Sequence, residues 1–577
     1  MRRPRKQSRL LLLTSAAYVL YVFVCFGFEL LDRGVARAIG VSLSAAMLAQ
    51  YALAVYRSAV AAGTEERVPL RETVLEVGLV LVTLVAASAP RVFLALSLVP
   101  ALHVLLRTLR RTRGWQGALS YLEQRPARLL VSGFAVVILV GTVLLTLPSA
   151  TTDHEGASPV DALFTSASAT CVTGLAVLNT APDERMNCEL ATFSTFGQVV
   201  ILLLIQIGGL GIMTLSASLL VLAGRGLAAR SRQVLGDLLE ESAGAAIERA
   251  IMFILRMTLA CELIGAGVLY LASRSHESDV GDAAYSAIFH AISAFNNAGF
   301  SLHGDSLVRF RSDPLVCMTV STLIVIGGLG YSVVAVLFSP NWFMRGRVRR
   351  QHGRLWNAHA RMVGVMTALL LAGGMLLTFY LEYDASLAGL SLGDKLMASF
   401  FQSVTARTAG FNTVDISAFQ RTTLLIYMVW MFIGASPGGT GGGVKTTTVG
   451  VFFLSVRAFL RRRSSVEAWG QRFDSAVVHK AVSIIAISVT VIVLALLGLL
   501  ASEPQASFEA LVFEVVSAFG TVGLSVGLTP TLSVAGKLIV VALMFVGRLG
   551  PVTMALAFTH GDPGVEVTYA SARIAVG

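Results

Sequence analysis

The sequence predicts an all-α polytopic membrane protein. Four tandem units, each a helix, a re-entrant hairpin and a second helix, are expected around one axis, after four extra N-terminal transmembrane helices. Three observations predict this. The 577 residues have a mean hydropathy of +0.74 and only 14% charged side chains, where soluble domains carry about 25%. Long apolar segments recur in pairs with a period of roughly 110 residues, which points to a tandem array rather than a solenoid. Between the members of each pair lies a short apolar segment ending in a glycine flanked by small or hydroxyl residues.

The four glycine stretches are Thr170-Cys171-Val172-Thr173-Gly174, Asn296-Asn297-Ala298-Gly299, Thr408-Ala409-Gly410 and Thr521-Val522-Gly523. Each is followed by Leu or Phe and then by an apolar helix. Threonine and glycine in extended backbone, held at membrane depth, present carbonyl oxygens to a dehydrated ion. Glycine permits the angles that turn successive carbonyls inward. Any one such stretch also reads as an ordinary turn; four at matching places in a repeat do not.

The 53 glycines, about 9% against a usual ~7%, suggest close helix contacts and irregular backbone inside the membrane. The formal charge of +11 does not imply a nucleic-acid partner, because the basic residues fall in short loops between apolar spans. Arg225, Arg230 and Arg232, then Arg345–Arg354, then Arg457 and Arg461–Arg463 follow successive units, whereas Asp153, Glu155, Asp161, Asp183, Glu184, Glu189, Glu277, Asp279 and Asp282 lie in the opposite loops. Both termini are therefore expected in the cytoplasm, with Arg33 and Arg37 as minor exceptions. Cys25, Cys171, Cys188, Cys261 and Cys317 show no paired spacing, so neither a disulfide framework nor a metal site is expected.

The extra helices are read at Leu10–Leu31, Ala36–Val55, Thr73–Ser88 and Val92–Leu106. The first is expected to be retained, since Phe26–Arg37 offers no convincing signal-cleavage site. Arg107, Arg110, Arg111 and Arg113 cluster at the end of a span instead of repeating through it. A packing or partner-binding module is preferred to a voltage sensor. The paired spans are Leu129–Leu147 with Val199–Ala223, Ala250–Ala272 with Leu315–Phe338, Met362–Tyr380 with Thr422–Phe459, and Val482–Ala501 with Val534–Thr559. These give the division 1–115 for the extra helices, then 116–235, 236–355, 356–472 and 473–577 for the four units.

From Ser120 to Thr559 the chain resembles the membrane subunit of the Trk/Ktr/HKT potassium-transporter superfamily, closest to the bacterial Ktr type. The resemblance rests on Thr170–Leu175, Ile205–Gly211, Asn296–Ser301, Gly327–Gly330, Thr405–Thr413, Ser436–Lys445 and Gly547–Pro551. It implies four helix–pore-loop–helix repeats around a single pseudo-fourfold pore. It further implies potassium uptake across the bacterial cytoplasmic membrane, a homodimer, and a cytosolic ring of nucleotide-binding regulatory subunits. Potassium is the expected bound ion, at Val172–Gly174, Asn297–Gly299, Thr408–Gly410 and Thr521–Gly523, with no organic cofactor. In this family serine at the first filter glycine accompanies sodium permeation; Gly174 favours potassium.

The run Gly434–Lys445 interrupts an apolar helix. Each interior glycine costs about 1 kcal/mol and a proline about 3 kcal/mol, so the helix breaks there, at a depth where a break is tolerated only if buried or lining water. The resemblance makes Ser436, Pro437, Gly438, Gly439, Thr440, Gly441, Gly442, Gly443 and Lys445 a gating loop; a static kink is the plainer reading. Lys445 either caps the broken helix or meets an acid. Arg548 is charged within an apolar span and must face the pore or a partner. The resemblance places it beneath the filter, where it repels passing cations or holds carbonyls of the loop; a buried carboxylate partner is the alternative.

Glu262 and Glu514 are expected to support the pore through backbone amides or hydroxyls, or to act on permeation directly. Arg407 is either a filter neighbour or a loop residue. His290 is expected as a hydrogen-bonded pore-helix residue instead of a metal ligand. An enzyme is not expected: no GxxxxGK[ST] occurs, Gly438–Lys445 lacks the strand a phosphate loop needs, and no catalytic constellation lies at depth. The competing transport reading, an alternating-access carrier of a cation or small solute, predicts inverted repeats, whereas these units share one orientation.

Overall fold

The structure is a computed structural model, described over residues 126–180, 192–211, 244–274, 279–337 and 358–558. The four N-terminal helices, the arginines at 225–232 and 345–354, and Cys188 lie outside the described residues.

The described chain runs α1 (Pro126–Leu145), α2 (Pro159–Thr170), α3 (Thr195–Gly209), α4 (Gly244–Ser273), α5 (Val280–Phe295), α6 (Pro314–Leu329), α7 (Tyr331–Leu337), α8 (Ala358–Glu382), α9 (Leu392–Thr405), α10 (Arg421–Phe432), α11 (Thr446–Leu460), α12 (Ser475–Ser502), α13 (Phe508–Gly520), α14 (Val534–Leu549) and α15 (Pro551–Phe558). Among these residues α1, α4, α8 and α12 are each long and apolar enough to cross a bilayer. They carry exposed apolar side chains such as Leu139, Leu263, Ile264, Leu369, Leu376, Leu494 and Leu497, as helices facing lipid do.

The short helices α2, α5, α9 and α13 occupy the interior. Ser158, Ser391 and Ser507 begin three of them, each side chain accepting a hydrogen bond from a first-turn amide. Their last turns are almost wholly buried. Four apolar clusters bind neighbours together. Phe193, Phe289 and Phe300 join α3 to α5. Phe295, Phe401 and Phe411 join α5 to α9. Tyr427, Met431 and Phe513 join α10 to α13. Phe164, Phe519 and Met544 join α2 to α13 and α14, which closes the circle. Lys537 on α14 reinforces that closure with an ion pair to Asp161 at 2.6 Å.

The second helices differ from the sequence expectation. Leu315–Phe338 does not run straight: α6 and α7 meet at 110°. Val534–Thr559 divides likewise at Gly550. Gly330 and Gly550 sit at φ +88° and +84°, which ends a helix, and Pro551 supplies no amide to continue one. Thr422–Phe459 is interrupted as expected, between α10 and α11. Small residues allow the short helices to press against the second helices. A Cβ on Gly208, Gly327 or Gly547 would strike the carbonyl of Thr170, Phe295 or Phe519 respectively.

Candidate functional site

The four glycine stretches meet. A Cβ on Gly174 would strike the Ala298 carbonyl. One on Gly299 would lie 2.7 Å from the Ala409 carbonyl, and one on Gly410 2.6 Å from that of Val522; one on Gly523 would strike the Thr173 carbonyl. The cycle returns to its start, so the four segments form a closed ring in chain order. Only glycine fits this spacing.

The backbone repeats its conformation around the ring. Val172, Asn297, Thr408 and Thr521, each two residues before the glycine, have φ of +57°, +60°, +69° and +51°; the glycines have +90°, +72°, +79° and +89°. A β-branched residue in the left-handed region costs of order 1–3 kcal/mol and persists only where its surroundings impose it. Here the amides turn back onto the short helices: Thr173 N donates to Ser168 O and Ala298 N to Ser293 O at 2.8 Å, Ala409 N to Thr405 O at 3.0 Å, and Val522 N to Ser517 O at 2.9 Å. Among the described residues, no donor reaches the carbonyls of Val172–Gly174, Asn297–Gly299, Thr408–Gly410 or Thr521–Gly523. Most of these residues are fully buried, and a buried carbonyl without a donor requires water or a cation. The carboxyl ends of α2, α5, α9 and α13 also point here, each adding a partial negative charge.

Outward of the ring lies a cavity of about 260 Å³, lined by all four glycines and by Ser301, His303, Ser525 and Thr529. Inward lies the glycine-rich loop. Gly442 N donates to Thr521 Oγ1 at 2.9 Å, and a Cβ on Gly441 would strike Thr408 Oγ1. The loop is tied on every side. Ser436 N and Thr440 N donate to the carbonyls of Gly328 and Gly327 at 3.0 Å, and Gly443 N to that of Gly547 at 3.2 Å. Thr440 Oγ1 donates to Phe295 O at 3.2 Å, and Ser436 and Thr446 hydroxyls meet at 2.9 Å. A cavity of about 150 Å³ opens between the loop, α3, α4 and Arg548.

Arg548, 5% exposed, donates Nη1 to the Thr440 carbonyl and Nη2 to the Gly208 carbonyl. Its partners are backbone oxygens, not a carboxylate. Lys445 precedes α11 and donates Nζ to Gly441 O at 2.7 Å, so it secures the loop that ends at it. Arg548 thus takes the loop-carbonyl alternative, whereas Lys445 takes neither of its own: its side chain caps no α11 amide and bonds the loop carbonyls instead of an acid.

Thr170 and Cys171 end α2 behind the ring, Thr170 as its last residue and Cys171 as its cap. Asn296 caps α5 in the same way. Its amide donates to Glu262 Oε1 and Gln206 Oε1, both at 3.0 Å, so Glu262 meets side-chain amides. The Asn297 amide lies 3.2 Å from Thr408 Oγ1. Arg407 is buried, with Thr367 Oγ1 at 3.5 Å; it is not a surface residue. His290 bonds to Ser286 and Ser301, and Glu514 accepts from Ser525 and Thr529. Sequence reasoning gave no role to Ser301, Ser525, Thr529 or Gln206, the last of which it quoted only within a motif. A hydroxyl two residues after the ring glycine was the available signal for the two serines.

Long apolar helices with re-entrant hairpins converging on unsatisfied carbonyls define an ion-transport membrane protein as the class. The chain belongs to the TrkH family of cation transport proteins, which matches residues 125–564, and within it to the Trk/Ktr type of membrane subunit. It is 37% identical over 439 residues to the Ktr system potassium uptake protein B of Bacillus subtilis, covering 76% of this chain and 94% of that one. The Vibrio alginolyticus protein of the same description is 38% identical over 439 residues, 76% of this chain and 92% of that one. The Enterococcus hirae potassium/sodium uptake protein NtpJ is 36% identical over 448 residues, 77% and 95% of the two chains. The fold is similar to the crystal structure of the potassium transporter TrkH from Vibrio parahaemolyticus, with a TM-score of 0.57 and 19% identity over 91% of this chain and 98% of that one.

Proposed function

We propose that this protein carries potassium into the cell through a single-chain pore with a four-part selectivity filter. The units 116–235, 236–355, 356–472 and 473–577 surround one pseudo-fourfold axis, and 1–115 are the N-terminal addition. One observation carries the reading: four buried backbone segments of matching left-handed conformation, closed into a ring, whose carbonyls meet no donor among the described residues. Val172–Gly174, Asn297–Gly299, Thr408–Gly410 and Thr521–Gly523 exchange the ion's water for these oxygens. Membrane potential drives entry, since one charge gains about 2.3 kcal/mol across 100 mV.

Ser436–Gly443, Lys445 and Arg548 form the gate below the filter, a reading supported by the loop's contacts with Thr408 and Thr521. The names of the relatives support potassium as the cargo, and the Ktr type supports a homodimer on a cytosolic nucleotide-binding ring in the bacterial inner membrane. The test is growth of a potassium-uptake-deficient bacterium on low potassium, with rubidium uptake competed by sodium. The chain should restore growth, and Gly174→Ser should lower discrimination against sodium. Intact discrimination in that variant would remove the filter assignment.

A further inference from the structure

His290 and Glu514 occupy the same place in two of the four hairpins, nine residues before Gly299 and Gly523. Each reaches the same partner, a serine two residues after the glycine. His290 Nε2 lies 3.0 Å from Ser301 Oγ, and Glu514 Oε2 accepts from Ser525 Oγ at 2.8 Å. The serines match in turn: Ser301 Oγ accepts from His303 N at 3.0 Å, and Ser525 Oγ from Gly527 N at 3.1 Å. His290 Nδ1 lies 2.8 Å from the Ser286 carbonyl, which can only accept. Nδ1 therefore bears the proton and Nε2 is left to accept from Ser301.

Around the ring these two hairpins stand opposite each other. The intervening pair lacks the device. Thr165 and Ala176 hold the two positions in the first hairpin, Phe401 and Asn412 in the third. Thr165 Oγ1 has no partner among the described residues.

We infer that His290 and Glu514 are positioning residues that brace the outer end of the filter along one diagonal, each through its serine. The inference rests on the filter reading above. Both side chains are buried, at 5% and 0% exposure, and Ser301 and Ser525 line the outer cavity directly beyond the glycines. Each link joins the rigid short helix to the chain that leaves the ring, so it fixes how far the last carbonyls can spread. Ser301 has one proton, which goes to His290 and not to the Ser306 carbonyl 3.1 Å away; the same loop is tied to the third hairpin separately, where Ser306 Oγ accepts from Asn412 N at 3.2 Å. At the fourth, Thr529 Oγ1 donates to the other Glu514 oxygen at 2.5 Å.

The test uses the full chain in proteoliposomes and reads rubidium uptake competed by sodium. Ser525→Ala and Glu514→Ala should each lower the rubidium-to-sodium preference about fivefold, the worth of one net hydrogen bond, and together by no more than either alone. Glu514→Gln keeps an acceptor and should restore most of the preference. Ser301→Ala and His290→Ala should behave as the second pair, with His290→Gln as the conservative variant. Thr165→Val, on the other diagonal, should leave the preference unchanged. Where a variant at Glu514 or His290 fails to reach the membrane, the serine variants, each a single-atom deletion, decide. Unchanged preference in the serine variants, alongside a lowered one in Gly174→Ser, overturns the brace and leaves the filter. Strict additivity within a pair also overturns it. No change in any variant, Gly174→Ser included, overturns both.

Discussion

Arg548 holds Thr440 by its backbone: the guanidinium donates to the Thr440 carbonyl, in the middle of the glycine-rich loop, while its second nitrogen holds the Gly208 carbonyl at the end of α3. One side chain thereby ties the loop to two different parts of the wall. Hydrogen bonds from charged groups are worth about 1.5–3 kcal/mol each. In the proposed pore the cation would also repel a passing potassium ion, by about 2 kcal/mol for a separation of ~8 Å in an effective dielectric of ~20. Arg548→Gln should therefore raise rubidium flux in proteoliposomes by about tenfold or more. Arg548→Lys should not restore the native rate, because an ammonium cannot fork between two carbonyls. Flux at the native level in Arg548→Gln would refute the tether.

Removal of Pro437–Gly442 tests the loop itself. The segment lies against Thr408 and Thr521 and is tied to the Gly327 carbonyl by Thr440 N, while the residues that flank it, Ser436 and Gly443, donate to the carbonyls of Gly328 and Gly547. The shortened chain should conduct faster than the native one in the absence of any cytosolic partner. An unaltered rate would mean that the break is only a kink that aids packing.

The pairing of short helices with second helices makes a stability prediction. Gly208, Gly327 and Gly547 each lie where a Cβ would strike the carbonyl of Thr170, Phe295 or Phe519. Overpacking of this kind costs typically about 1–3 kcal/mol. Gly327→Ala should lower the thermal midpoint in detergent, and Gly327→Val should lower it further. Equal midpoints would show that α5 can retreat from α6.

Lys537 and Asp161 join the last group of helices to the first at 2.6 Å, with their side chains 14% and 18% exposed. Loss of one partner from a fully buried pair costs about 3–5 kcal/mol; with this residual exposure Lys537→Met should cost about 1–3 kcal/mol. Combining Lys537→Asp with Asp161→Lys should recover part of that. A chemical-denaturation midpoint that ignores all three changes would exclude a role in closing the ring.

Much of this was legible in the chain. Hydropathy gave the long helices because lipid demands about 20 apolar residues per crossing, and α1, α4, α8 and α12 meet that demand. The glycine-rich run announced its own break, since so many glycines with a proline cannot hold a helix. The bend at Gly330 and the break at Gly550 were not legible. An apolar segment carries the same hydropathy straight or bent, and a single glycine is common within spans. The left-handed turn at Val172 and Thr521 ran against local preference, because β-branched residues avoid it; only the ring imposes it. The partners of Arg548 were hidden for a related reason. They are main-chain oxygens, which every residue possesses.

The corner at Gly330 has a mechanical meaning. Beyond it the first amide of α7, on Tyr331, donates to Gly438 O at 3.3 Å, and a Cβ on Gly438 would press on the Tyr331 ring. With α7 set at 110° to α6, the joint is a crank. If the loop is the proposed gate, traction on α7 should displace Gly438 sideways, and a pull applied from outside would suffice to open the conduit.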